Sequence, residues 1–248
     1  MIGMSRARRC PLFVRLFFSV MLFILNTSIY SQERFRRNSP FPDPLSELTL
    51  PEIESASLSN GLKISVIRQQ NLPVISMHLI VYAGESFSPD ALPGLATLTA
   101  NMVNKGAVGL SSSRITETIE TIGGKFSSET HPDYSVVSFT FLEDYLDTAL
   151  ETLGKMILQP TFPVVEVRNV IRTMHYDLIG RKSSAAFVAR RTLLRILFDQ
   201  HPYRKIAFNE TVTRNLNREE LVSFFEKYYI PNNATLILIG NLTLRTAV

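Results

Sequence analysis

Only 19% of the 248 residues are charged, against 45% that are hydrophobic. That balance excludes intrinsic disorder, which goes with more charge and fewer apolar side chains. Cys10 is the single cysteine, so no internal disulfide framework exists. A cysteine-free remainder is compatible with an oxidising compartment. There is no basic tract, no internal repeat, no low-complexity segment and no glycine-rich phosphate loop. The formal charge of +4 comes wholly from Arg6, Arg8, Arg9 and Arg15 in the acid-free residues 1–31. Residues 32–248 carry 22 basic and 22 acidic side chains, which argues against a nucleic-acid surface.

What is present begins with a leader. Arginines precede an apolar run over residues 16–25, followed by a polar stretch ending at Ser31-Gln32. This is the three-part pattern of a secretory signal peptide over residues 1–31. The run is short of the roughly 20 apolar residues that a membrane-spanning helix needs. A cleaved signal and an uncleaved anchor both remain open. Either predicts export, periplasmic or extracellular, with membrane contact only through an uncleaved leader. Residues 32–51, with Pro40, Pro42, Pro44 and Pro51, read as a linker.

The globular part, residues 52–248, alternates strand and helix patterns. Residues 62–68 and 74–83 read as strands forming a hairpin or meander across Asn71-Leu72-Pro73. Helical spacing covers 90–105, ended by Gly106 and Gly109, and 114–122, capped by Ser111–Ser113 and stopped by Gly123-Gly124. Strands 125–130 and 134–141 flank the turn His131-Pro132-Asp133. An amphipathic helix covers 143–158. Two helices follow between 164 and 198, broken near Gly180. Asn217 caps a helix over 218–229 with Glu219 and Glu220 in its first turn, Pro231 ends it, and 234–240 is a buried strand. The predicted class is α+β: a mixed or antiparallel sheet with helices packed on it.

Several strings occur in a telling order: Leu58-Ser59-Asn60-Gly61-Leu62, Val81-Tyr82-Ala83-Gly84-Glu85, Pro93-Gly94-Leu95-Ala96 and Ile122-Gly123-Gly124. They continue with Asp133-Tyr134, then residues 158–163 (LQPTFP), His201-Pro202-Tyr203 and residues 228–234 (YYIPNNA). No one string is specific, but their ordered sum across residues 58–243 resembles the N-terminal domain of the pitrilysin/insulinase-type zinc metallopeptidases. The resemblance implies a single metallopeptidase-like (LuxS/mitochondrial-processing-peptidase-like) domain. Relatives usually follow it with a second, similar domain, for which this sequence has no counterpart.

Active members carry H-x-x-E-H, two histidines one helical turn apart that hold zinc around a glutamate base, with an acidic ligand roughly 75 residues downstream. Thr97 and Asn101 stand where the histidines belong, and Ala100 where the glutamate belongs. The downstream position falls near Asp177. A hydroxyl and an amide are poor zinc ligands, and alanine cannot move a proton. The expectation is no catalytic residue, no bound metal and no cofactor, zinc being the cofactor of active relatives.

His78, His131, His175 and His201 show no ligand spacing, so polar or core roles are expected of them. The edge strand that pairs with substrate backbone in active relatives corresponds to Ser127, Ser128, Glu129 and Thr130. Of its usual Asn-Ala-x-Thr only Thr130 matches, and Asn209-Glu210 replaces a family Gly-Thr. A strand edge can bind an extended peptide, and a plain edge is as good a reading. In several branches an inactive homologue pairs with an active subunit, which implies a heterodimer with a catalytically intact paralogue. Three functions stay open: a non-catalytic peptide-binding or partner protein, a zinc peptidase using non-standard ligands or a partner chain's site, and a truncated remnant. Asn209, Asn233 and Asn241 fit the glycosylation pattern, relevant only in a eukaryotic secretory route.

Overall fold

The computed structural model describes residues 51–207 and 212–247, together with residues 17 and 19–21 of the leader. The remainder of the leader, the linker up to residue 50, and Asn209-Glu210 lie outside the described residues. Residues 50–248 form one compact unit.

Among the described residues from 51 onward, eight strands and seven helices follow in order, with short 3-10 turns between them. The strands are β1 (Ile53–Ser57), β2 (Lys63–Arg68), β3 (Val74–Val81), β4 (Gly106–Ala107), β5 (Leu110–Ser111), β6 (Lys125–Thr130), β7 (Ser135–Leu142) and β8 (Ala234–Gly240). The helices are α1 (Leu95–Met102), α2 (Ser112–Thr121), α3 (Leu146–Leu158), α4 (Val164–Arg181), α5 (Ala185–Phe198), α6 (Arg218–Tyr228) and α7 (Leu244–Ala247). The main sheet has the order β1-β2-β8-β3-β7-β6, with β4-β5 as a small separate ribbon. Only β2 and β8 run parallel; every other pairing in the main sheet is antiparallel. The mixed sheet with helices packed on it is the α+β architecture expected.

The hairpin expected between residues 62–68 and 74–83 does not form. β8 lies between β2 and β3, with Ile237 opposite both Ser65 and His78. Its sequence ATLILIG has apolar side chains for both faces, which suits an interior strand. The five residues from Gln69 to Pro73 arch over it, and Gln69 N–H donates to the Gly240 carbonyl at 2.8 Å. Gly240 is required there because a Cβ would lie 2.9 Å from Ile75 Cγ1 and 3.0 Å from the Val74 carbonyl oxygen.

Strand β3 alternates half-buried and buried residues, and Ile75, Met77, Leu79 and Val81 face the core. Phe139 and Phe141 of β7 join them, with ring centroids 5.2 Å apart. Each such fully buried side chain contributes about 1.5–3 kcal/mol.

Helix α1 is apolar around most of its circumference, and Leu95, Ala96, Leu98, Ala100 and Met102 are all buried. Such a helix belongs in an interior. It packs on β6, β7, α4 and α6. It is shorter than the helical spacing of 90–105 suggests, because Gly94 takes φ +98°, a left-handed conformation that halts helix propagation backwards. Residues after Val103 turn into the β4-β5 ribbon, which their sequence did not announce. Capping follows the predicted chemistry. Ser111 accepts from Arg114 N–H at 3.3 Å, and Asn217 accepts from Glu220 N–H at 3.0 Å.

Candidate functional site

The site is assembled by a clamp at the end of β3. The Ser135 hydroxyl donates to the Ala83 carbonyl at 2.9 Å. Glu85 N–H donates to the His131 carbonyl, and Ser86 N–H to the Pro132 carbonyl, both at 2.9 Å. Gly84 lies so close to this turn that a Cβ would overlap the His131 carbonyl and the Pro132 backbone. The 3-10 segment Pro202–Ala207 braces the same region. Tyr203 hydroxyl donates to Asp133 Oδ2 at 2.5 Å, Lys205 Nζ donates to the Ser88 carbonyl at 2.5 Å, and Arg204 pairs with Asp90 at 3.1 Å. Three strings far apart in sequence thus converge on one corner.

The clamp directs Glu85 inward beneath α1, where it is 4% exposed. One carboxylate oxygen accepts from the Gly94 N–H, and the other accepts from the Thr97 hydroxyl at 2.9 Å. Ser88 Oγ accepts from Ala96 N–H at 3.0 Å. Gly94 has no side chain to cap with, so residues 85–88 satisfy N–H groups at the start of α1 that would otherwise be orphaned. Burial pushes the Glu85 carboxyl up to about 7, partly offset by the hydrogen bonds from Gly94, Thr97 and Ser88.

Thr97, Ala100 and Asn101 therefore differ in environment. Thr97 is half-buried and committed to Glu85. Ala100 is 1% exposed, within the packing of α1. Asn101 reaches a cleft of about 450 Å³ between the end of α1, strand β6 and helix α4. Asn104 and Lys105 continue its α1 wall, Phe126, Ser127 and Ser128 form the β6 wall, and α4 contributes Glu166, Asn169 and Thr173.

The structure places Asp177 outside this cleft. It lies one helical turn beyond Thr173, lines a separate surface depression with Tyr176, and pairs with Arg181 at 3.0 Å. Sequence reasoning missed Glu166, Asn169 and Thr173. Their spacing of three and four residues places them on one face of α4, and that face would have identified them once α4 was known to oppose α1.

Strand β6 is the sheet's edge and pairs only with β7. Ser127 and Ser128 border the cleft, Glu129 is exposed, and the Thr130 hydroxyl is buried without a hydrogen-bond partner. The histidines lie apart, in polar contacts. His78 Nδ1 meets Ser138 Oγ at 2.9 Å, His131 stacks on Tyr134, His175 Nδ1 meets Thr213 Oγ1 at 3.0 Å, and His201 Nδ1 accepts from Tyr203 N–H at 3.2 Å. Among the described residues no three His, Cys, Asp or Glu side chains stand close enough to hold a metal ion. Of the glycosylation-type asparagines, Asn233 donates to the Tyr228 carbonyl at 3.0 Å and Asn241 to Glu143 at 3.0 Å.

Comparison with known families places this geometry. Residues 63–211 match the model for insulinase, peptidase family M16. The chain belongs to the insulinase family. Residues 215–248 match the model for the peptidase M16 inactive domain, yet α6 and β8 within that stretch are integral to the same sheet and core. A non-peptidase homolog, YmxG of Helicobacter pylori, is 26% identical over 186 residues, covering 74% of this chain and 43% of that protein. Mitochondrial-processing peptidase subunit alpha-1 of Dictyostelium discoideum is 25% identical over 190 residues, covering 75% of this chain and 29% of that protein. Among solved structures, a peptidase M16 inactive domain from Pseudomonas fluorescens superposes with a TM-score of 0.75 at 26% identity, covering 79% of this chain and 48% of that one. The insulinase-family chain described here thus spans less than half the length of these relatives.

The zinc of active insulinase-family enzymes does not fit this donor set. The Thr97 hydroxyl is engaged by Glu85, Ala100 offers no donor atom, and the Asn101 amide is a weak ligand beside imidazole or thiolate. No hydrolytic step through such a metal can be built from these residues.

Proposed function

We propose that this chain is an exported, non-catalytic member of the insulinase family that binds extended peptide along β6 or serves as the partner subunit of an active paralogue. The observation that carries it is the fate of the three motif positions. Thr97 is tied into a buried hydrogen-bond cluster with Glu85, Ala100 is enclosed, and Asn101 alone faces the cleft. The arginine-then-apolar leader supports export. The edge of β6 offers unpaired backbone groups beside a cleft rich in amide and hydroxyl side chains, the surface that strand addition uses.

The test has two arms on the purified chain. Metal analysis should find no stoichiometric zinc; one zinc per chain, lost on Asn101→Ala, would sink the non-catalytic reading. Labelled extended peptides should bind with an anisotropy change that Ser128→Pro abolishes, since proline removes a donor and blocks the strand edge. Peptide binding unaffected by Ser128→Pro would remove β6 from the proposal. Co-purification with a homologue carrying an intact H-x-x-E-H would decide for the partner role.

A further inference from the structure

Six polar side chains line the cleft between α1, β6 and α4 without a partner among the described residues. They are Asn101, Asn104 and Lys105 on the α1 side, Ser127 and Ser128 on β6, and Glu166 on α4, all half-buried. None of these side chains makes a hydrogen bond or an ion pair with another described residue. Thr173 and Asn169, by contrast, are engaged within α4. The Thr173 hydroxyl donates to the Asn169 carbonyl at 3.0 Å, and Asn169 Oδ1 accepts from Arg172 at 2.9 Å. Polar groups drawn out of water are normally satisfied by protein, by ordered water or by a ligand. Six that the protein leaves unused in one cleft make it a site for a polar ligand.

The charges of the cleft decide which polar group fits. It has one cation, Lys105, and one anion, Glu166, on different walls. A cationic side chain gains from Glu166 and is opposed by Lys105, and an anionic one the reverse, while either loses hydration. A carboxamide carries no net charge, donates through its NH2 group and accepts on its oxygen. Its donors suit Glu166, its oxygen suits Lys105, and both suit the asparagine amides and serine hydroxyls. Phe126 and Met174 add apolar lining for the methylenes that carry such a group. Strand geometry delivers it. Phe126 lies opposite Phe139 of the core, centroids 6.3 Å apart, so Phe126 and Ser128 sit on the helix side of β6. In a strand added at this edge, every second side chain turns to that same side.

We infer that the cleft selects the carboxamide side chain of a glutamine or asparagine in a peptide lying along β6. This rests on the peptide-binding reading of that edge and names the residue type it takes.

The probe is a labelled peptide of serine and threonine with one central guest residue, titrated with the full chain and read by anisotropy. Glutamine as guest should bind roughly 10- to 100-fold more tightly than leucine, lysine or glutamate, the range of a hydrogen bond to a charged group. Glu166→Gln should weaken the glutamine peptide about tenfold and make glutamate the better-bound charged guest, whereas Lys105→Gln should make it lysine. The leucine peptide should bind both variants as it binds the parent, which also shows them folded. Lysine or glutamate binding as tightly as glutamine to the parent, or preferences that neither variant moves, overturns the inference. So does a leucine peptide weakened as much as the glutamine peptide, since the two charges would then not act on the guest. Guests bound with equal affinity, yet all lost with Ser128→Pro, overturn it and leave strand addition standing. No binding of any guest overturns both readings.

Discussion

The Thr97 hydroxyl donates to the buried Glu85 carboxylate at 2.9 Å, so the position that the resemblance sets against a zinc-binding histidine closes a cluster under α1. The bond joins the end of β3 to the first turn of α1. It gives Thr97 a structural role, with its hydroxyl hydrogen committed to the carboxylate.

Thr97→Val keeps the shape and removes the donor. One Glu85 oxygen then loses its partner in a buried setting, which costs about 1–3 kcal/mol. Urea unfolding should show a lower midpoint with an unchanged slope. Thr97→Ser, which retains the hydroxyl, should recover most of the loss. A Thr97→Val midpoint equal to the parent's would show that the bond contributes nothing.

Glu85 predicts an unusual pH dependence. Its carboxyl is raised to about 7 in the fold from an ordinary value of 4.5, so the folded state holds the proton more tightly than the unfolded chain. The associated stability is fully present below pH 4.5, declines as pH rises, and is gone above pH 7. The full amplitude is on the order of 3 kcal/mol. Glu85→Gln removes the titration, so the difference between variant and parent should grow in the variant's favour from pH 5 to pH 8. Parallel curves for the two proteins in urea titrations at those pH values would refute the assignment.

The local elements were legible because punctuation surrounds them. β6 sits between Gly123-Gly124 and His131-Pro132, and β8 follows Pro231-Asn232-Asn233, so their ends match the turn signals. Strand order was not legible, since the pairing of Ile64 with Leu236 joins distant segments that no local pattern links. Glu85 was missed for a similar reason. Nothing in Gly84-Glu85-Ser86 marks a buried acid; its burial comes from the clamp on His131 and Pro132. The offset that pointed to Asp177 counts residues along the chain, and a slip of one turn on α4 exchanges it for Thr173, which lines the Asn101 cleft while Asp177 does not.

Gly84→Ala tests that clamp. The backbone angle is ordinary, φ −103°, so the glycine is kept by contact rather than by conformation. The added Cβ would force the 131–132 turn away and weaken the bonds that hold Glu85 and Ser86. The expected loss is about 1–3 kcal/mol. Amide exchange at Glu85 and Ser86 should accelerate more than at β7, whereas a uniform change would mean that the turn absorbs the Cβ freely.

A glutamate at Ala100, the position that the resemblance sets against the family's base, separates a helix face with room for that side chain from one packed closed. Ala100 is 1% exposed on a helix packed by β6, β7, α4 and α6, so Ala100→Glu must place a carboxylate where α1 has no solvent. An unpaired charge there costs about 3–5 kcal/mol. Asn101→His, by contrast, projects into the cleft and should change stability by less than about 1 kcal/mol, as replacements away from the core do. If zinc raised the melting temperature of Ala100→Glu to the parent's level, the enclosed face would have to be more open than its packing implies. A large loss that zinc leaves untouched, beside a near-neutral Asn101→His, would mean that the helix face is closed around position 100.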